Sequence, residues 1–128
     1  MSAVLDGNYK ITSDFGMREH PITKEKKMHN GVDLAGVPKG NAVRSCTDGI
    51  VKLAQFSNSA GNWIWIVKNN LKYVFMHLNS LEVKAGEFVT KGQRIAGVGT
   101  TGASTGVHLH FQVEENGKPI DPKPYIKF

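Results

Sequence analysis

The sequence predicts a mostly-β fold: a compact antiparallel sheet or barrel-like domain with few or no helices. Three observations carry that expectation. Short apolar runs recur at roughly ten-residue spacing, with turn residues between them. Glycine is abundant, 14 of 128 residues, and spread along the whole chain. Helical periodicity is poor throughout.

The elements follow in chain order. Candidate strands are Gly49–Ala54, Trp63–Lys68, Tyr73–Leu78, Arg94–Val98 and Val107–Val113. Asn69–Asn70 reads as a hairpin turn between Trp63–Lys68 and the run Leu71–His77. Alternation within the first of these puts Trp63, Trp65 and Val67 on one face and Ile64, Ile66 and Lys68 on the other. The tryptophans read as sheet packing, with substrate contact as the sharper alternative. The best helical candidate, Asn79–Val83, is no longer than a turn. Glycines punctuate the apolar pieces of Val83–Ile95 in a pattern also met in barrel modules that carry lipoyl or biotinyl groups. The exposed lysine turn of those modules is absent, so the segment reads as scaffold. No repeat, linker or boundary is evident, which predicts one domain over residues 1–128 with a core at about 11–125.

Composition narrows the function classes. Hydrophobic residues make up 40% and charged residues 21%, a globular balance. No apolar run approaches the roughly 18 residues that span a membrane. Met1–Lys10 lacks the pattern of a signal peptide, so the domain is expected either to belong to a longer protein or to reach its target without its own leader. Cys46 is the single cysteine. It can form no internal disulfide, and it excludes a Cys-rich structural zinc site. It reads as a small buried residue, with a thiolate nucleophile as the alternative. The net charge of +5 and pI of about 9.4 favour a polyanionic partner, nucleic acid or an anionic bacterial wall. Common nucleic-acid motifs are absent, and the one tight basic cluster is Lys24, Lys26 and Lys27.

The chemistry lies in the histidines. In a strand, His108 and His110 point to the same face while Leu109 points away. In His29-Asn30-Gly31-Val32-Asp33, Asn-Gly disfavours a helix and favours a turn leading into a short strand. Taken with His110 as the presumed second imidazole, His29 and Asp33 complete a set of two imidazoles and one carboxylate. Such a set suits catalytic zinc with a fourth position open; ferrous iron in an oxygenase is the other metal it fits. No His-Glu-x-x-His motif supplies a glutamate base. Glu19, Glu82, Glu114 and Glu115 are not adjacent to the paired histidines. His77 and His108 therefore remain as candidate acid–base groups.

These residues resemble the zinc peptidoglycan endopeptidases of the lysostaphin and LytM type. The resemblance runs from about Ile11 to Tyr125. Its anchors are Phe15-Gly-Met-Arg-Glu-His-Pro-Ile-Thr, His29-Asn-Gly-Val-Asp33-Leu-Ala, Asp48-Gly-Ile-Val, Met76-His77-Leu78, Gly92-Gln-Arg-Ile-Ala-Gly-Val-Gly, Gly102-Ala-Ser-Thr-Gly-Val-His108-Leu-His110-Phe and Pro119-Ile-Asp-Pro. The resemblance implies that His29, Asp33 and His110 hold one Zn2+ and that His77 and His108 are the catalytic pair. His20 lies in a family-typical motif and reads as a structural or rim residue. Two departures bear on groove shape: the usual Tyr-Ala-His-Leu is Phe75-Met76-His77-Leu78, and the usual His-Gly turn is replaced by Lys68-Asn69-Asn70.

The implied function is zinc-dependent hydrolysis of peptide bonds in peptidoglycan stem peptides or crosslinks. The rival classes are a non-catalytic wall-binding or regulatory module of the same fold and a zinc N-acetylmuramoyl amidase. The expected partner is bacterial peptidoglycan, with no nucleic acid and no membrane, and the expected form is a monomeric domain. The expected place of action is the cell wall, extracellular, periplasmic or borne on a virion such as a phage tail. Loops Gln55–Gly61 and Gly99–Gly106 are expected to wall the groove.

Overall fold

Twelve strands and one short 3-10 helix make up the computed structural model, which describes residues 3–19, 22–104 and 106–126, save the side chain of Arg18. In chain order these are β1 (Lys10–Ser13), β2 (Gly16–Glu19), β3 (Lys26–His29), β4 (Val32–Ala35), β5 (Ala42–Arg44), β6 (Gly49–Ser57), β7 (Gly61–Lys68), β8 (Leu71–Leu81), β9 (Phe88–Val89), β10 (Arg94–Val98), β11 (His108–Glu115) and β12 (Lys118–Ile120), then the 3-10 turn Lys123–Tyr125. No α-helix occurs among the described residues, as the missing 3.6-residue periodicity requires.

Ten strands join in one antiparallel sheet of order β1-β4-β11-β8-β7-β6-β9, with β10 paired to β5 and β8 and β12 paired to β11. The barrel-like expectation resolves into an open sheet ending at β1 and β9. β2 and β3 form a separate two-stranded ribbon. Asn69, at a φ of 56°, makes the expected tight turn between β7 and β8.

Alternation sorts the central strands into two faces. Val32 and Leu34 of β4, Leu109, Phe111 and Val113 of β11, Phe75 of β8, and Ile64 and Ile66 of β7 are all fully buried in one core cluster. Phe75 and Phe111 sit opposite each other across β8 and β11 with ring centroids 5.2 Å apart. The same core takes in Val4, Leu5 and Ile126 near the ends of the described chain. Removing a ring such as Phe111 would cost about 3–5 kcal/mol.

Two expectations are corrected. Asn79–Leu81 is not a helical turn: it continues β8, because β10 pairs there, Ala96 opposite Leu81 and Gly97 opposite Ser80. The strands short of β6 are also richer than the apolar pattern indicates. They are three or four residues long, and in β1 and β3 most residues are at least partly exposed, so they leave little apolar signature. Cys46 is buried, and burial pushes its thiol up to about 12, which removes the thiolate alternative.

Candidate metal centre

The second sheet face carries the polar cluster. Asp33 of β4 stands directly opposite His110 of β11, with Leu34 opposite Leu109 one step along. Opposed residues on antiparallel strands share a face, and Asp33 Oδ1 lies 2.9 Å from His110 Nδ1. The approach of the preceding turn depends on Gly31: a Cβ there would run into the carbonyl oxygen of Phe111 and lie 2.9 Å from His110 Nε2.

His29 arrives from a different element. It ends β3, opposite Gly16 of β2, and the Asn30–Gly31 turn returns the chain into β4, as the sequence indicates. Its Nε2 is 3.4 Å from Asp33 Oδ2. Its Nδ1 lies 2.8 Å from the Asp14 carbonyl oxygen. A carbonyl only accepts, so Nδ1 carries the proton and Nε2 is left with a lone pair facing the carboxylate.

One ligand atom from each of His29, Asp33 and His110 lies within 4.8 Å of the others. Two imidazole nitrogens and a carboxylate oxygen converging at this spacing fit a divalent first-row metal with a position left open. Burial works against the Asp33 carboxylate, but before any metal binds, protonated imidazoles, His110 first through its hydrogen bond and then His29 and His108 through charge, outweigh it and hold the carboxyl below its usual range.

His108 and His77 flank this set. His108 opens β11, its Nε2 3.7 Å from Asp33 Oδ1. Its Nδ1 lies 3.0 Å from the Gly106 carbonyl oxygen and 3.1 Å from Ser104 Oγ, and Ser104 itself donates to Gly106 at 2.8 Å. The rings of His77 and His108 are 4.9 Å apart, and those of His77 and His110 6.4 Å.

His77 reaches the cleft by breaking the rule that places the others. Between Asn62–Ile64 of β7 and Phe75–Leu78 of β8, two steps on one strand match three on the other. The extra residue is a bulge. Strict alternation would send His77 to the core side with Phe75. With the bulge, Met76 and His77 both line the cleft and Leu78 returns to the core.

The cost is a left-handed backbone at His77, φ 66°, worth about 1–2 kcal/mol for a non-glycine residue. Two bonds hold it there: His77 N–H donates to Ala60 O at 2.8 Å, and the ring Nδ1–H to Thr101 O at 2.8 Å. Thr101 Oγ1 in turn donates to Leu78 O at 2.6 Å and accepts from Asn62 N–H at 3.0 Å. Burial pushes His77 below its ordinary value, assisted by the charges of His108 and His110 and only partly offset by the Thr101 bond and the Asp33 charge. His77 is thus neutral near pH 7, with Nε2 bare toward the cleft.

The cleft encloses about 500 Å³. The β2–β3 ribbon walls one side with Lys27 and Met28. The expected Gln55–Gly61 loop is mostly strand, because β6 runs on to Ser57 paired with Gly61 of β7. Ser57 at the end of β6, Ser59 and Ala60 in the turn, and Ala103 and Ser104 from the Gly99–Gly106 loop wall the others. Trp63 also lines it, whereas Trp65 lies beneath the Lys72 ammonium, 3.2 Å from ring centroid to Nζ. His20 lies outside the described residues. Sequence reasoning passed over four participants: the Asp14 carbonyl, Thr101, Ser104 and Gln112. Thr101 and Ser104 fell within the expected Gly99–Gly106 loop without a role of their own, and Gln112 left a signal in its spacing of two from His110.

The arrangement, an open cleft with a two-imidazole, one-carboxylate donor set and two further histidines, suits a metal-dependent hydrolase. The family follows from similarity: the chain belongs to peptidase family M23, whose members are zinc metallopeptidases, with residues 27–122 matching. The chain is 38% identical over 119 residues to the peptidoglycan DD-endopeptidase ShyA of Vibrio cholerae, covering 91% of this chain and 27% of that protein. A zinc-containing peptidase of Vibrio cholerae superposes with a TM-score of 0.86 at 40% identity, over 98% of this chain and 39% of the other. The catalytic domain of lysostaphin from Staphylococcus simulans superposes at 0.79 with 35% identity, over 91% of each chain. The chain spans roughly a quarter to a third of the length of the curated relatives it matches first.

Proposed function

We propose that the chain is a zinc endopeptidase domain that hydrolyses peptide bonds of bacterial peptidoglycan, with His29, Asp33 and His110 holding one zinc ion. The observation that carries this reading is the convergence of that donor set with two further histidines in one open cleft. The names of its relatives supply the substrate class. Zinc bound there supplies a Lewis acid that polarises the scissile carbonyl and acidifies water.

The chain's own residues divide the proton work. His77, neutral and with Nδ1 tied to Thr101, presents Nε2 as the acceptor for a proton from the attacking water. His108, with Nδ1 turned to Gly106, directs Nε2 toward the Asp33 side of the cleft. There, carrying a proton on each ring nitrogen, it hydrogen-bonds the oxyanion and passes the Nε2 proton to the leaving amine, and the proton that His77 took from the water replaces it. We read residues 1–128 as one catalytic domain with its core at about 11–125. It acts as a monomer on wall polymer, not on nucleic acid or membrane, whether at the cell surface, in the periplasm or on a virion. The net charge of +5 supports attraction to an anionic wall, screened by salt.

Digestion of purified peptidoglycan followed by mass spectrometry tests the reading. Expected are new amino termini within the peptide, abolished by a chelator and restored by zinc. Cleavage at the sugar–peptide junction would indicate an amidase, and no cleavage a binding module.

A further inference from the structure

β11 carries more of the centre than its two histidines. Residues two apart on a strand share a face, and His110, Gln112 and Glu114 form an unbroken line along it. His110 Nε2 is 3.0 Å from Gln112 Oε1, and Gln112 Nε2 donates to Glu114 Oε2 at 2.7 Å. Glu114 Oε1 is 3.7 Å from Lys72 Nζ, which is itself seated over Trp65. Gln112 is only 8% exposed.

Chemistry gives this line one direction. A carboxylate accepts and does not donate. Glu114 therefore turns the Gln112 amide so that NH2 faces it, and Oε1 is left facing His110. That oxygen accepts only if His110 Nε2 carries a proton. Asp33 Oδ1, 2.9 Å from Nδ1, competes for the one proton of the neutral ring; where Gln112 holds it, the lone pair falls to Nδ1. His29 is fixed the opposite way, Nδ1–H on a carbonyl and Nε2 toward Asp33. The two histidines thus offer different nitrogens to one point, each selected by the partner behind it.

The geometry points to Gln112 as a positioning residue for the metal centre: oriented by Glu114, it holds His110 in the Nε2–H tautomer and so presents Nδ1 to the metal. This rests on the reading of His110 as a ligand. Without Gln112, nothing opposes the other neutral tautomer, in which Nδ1–H donates to Asp33 and both atoms are withdrawn from the metal.

The test is zinc affinity by competition with a chromophoric chelator, with 15N–1H correlation of the His110 ring in the zinc-free protein at mildly alkaline pH. Gln112→Leu, close in shape, is expected to weaken zinc binding about 10- to 100-fold and to shift the ring toward Nδ1–H. Gln112→Met serves if the leucine variant does not fold. The double variant Gln112→Glu with Glu114→Gln keeps an acceptor behind His110 and a donor behind that acceptor, and is expected to restore most of the affinity. Wild-type affinity and an unchanged tautomer in Gln112→Leu would overturn the proposal while leaving the ligand set intact. His110 resonances indifferent to zinc in the wild-type protein would overturn both.

Discussion

β8 and β11 lie side by side in one sheet and deliver histidines to one cleft by opposite means. β11 obeys period-two alternation throughout: His108, His110, Gln112 and Glu114 share one sheet face, the first two lining the cleft, while Leu109, Phe111 and Val113 are fully buried on the other. β8 obeys it only as far as Met76. A bulge and a left-handed residue then swing His77 onto the cleft side. The regular strand fixes metal-facing atoms through register. The irregular one aims a single side chain and depends on outside support from Ala60 and Thr101.

The comparison predicts separable effects. The largest belongs to the register-fixed side: Asp33→Ala should abolish stoichiometric zinc, read by metal analysis, and drive wall hydrolysis below detection. Next comes His77→Ala, expected to lower the rate on the order of 10²- to 10⁴-fold with zinc retained, separating the bulged strand's task from its neighbour's. Thr101→Ala should loosen the cradle and not the ligands. A drop in kcat of about tenfold is expected, within the range that small misplacements produce, with zinc affinity unchanged; equal loss of both would tie the bulge to the metal site.

The smallest effect is in pH. His77 acts as base when unprotonated, and its folded value is below the ordinary 6.5. The acid limb of the activity should therefore have its midpoint below 6.5. The linkage has a matching sign. Below 6.5 the unfolded chain takes up the proton before the folded one, so the His77 contribution to stability declines as pH falls. A rate profile and a pH series of melting temperatures read the two.

The same contrast decides what was legible in the sequence. Wherever alternation holds, residues could be assigned to faces in advance: His108 with His110, Trp63 with Trp65, Leu109 apart. The Asn30–Gly31 turn announced itself by composition. The bulge did not, because nothing in Tyr73–Leu78 marks where one extra residue enters; it is set by Asn62 and Thr101, distant in sequence. The Asp14 carbonyl could not be read either, since any residue supplies a carbonyl and only the tertiary path of the chain brings this one to His29. Gln112 and Glu114 were readable by spacing, but adjacency in sequence was the wrong measure for a strand.

The central claim is that metal holding and proton transfer reside in different histidines of the same cleft. Zinc content and peptidoglycan hydrolysis measured together on His108→Ala test it most directly. The account predicts one zinc per chain with hydrolysis reduced at least a hundredfold. Hydrolysis at the wild-type rate, or loss of zinc in step with activity, would contradict it.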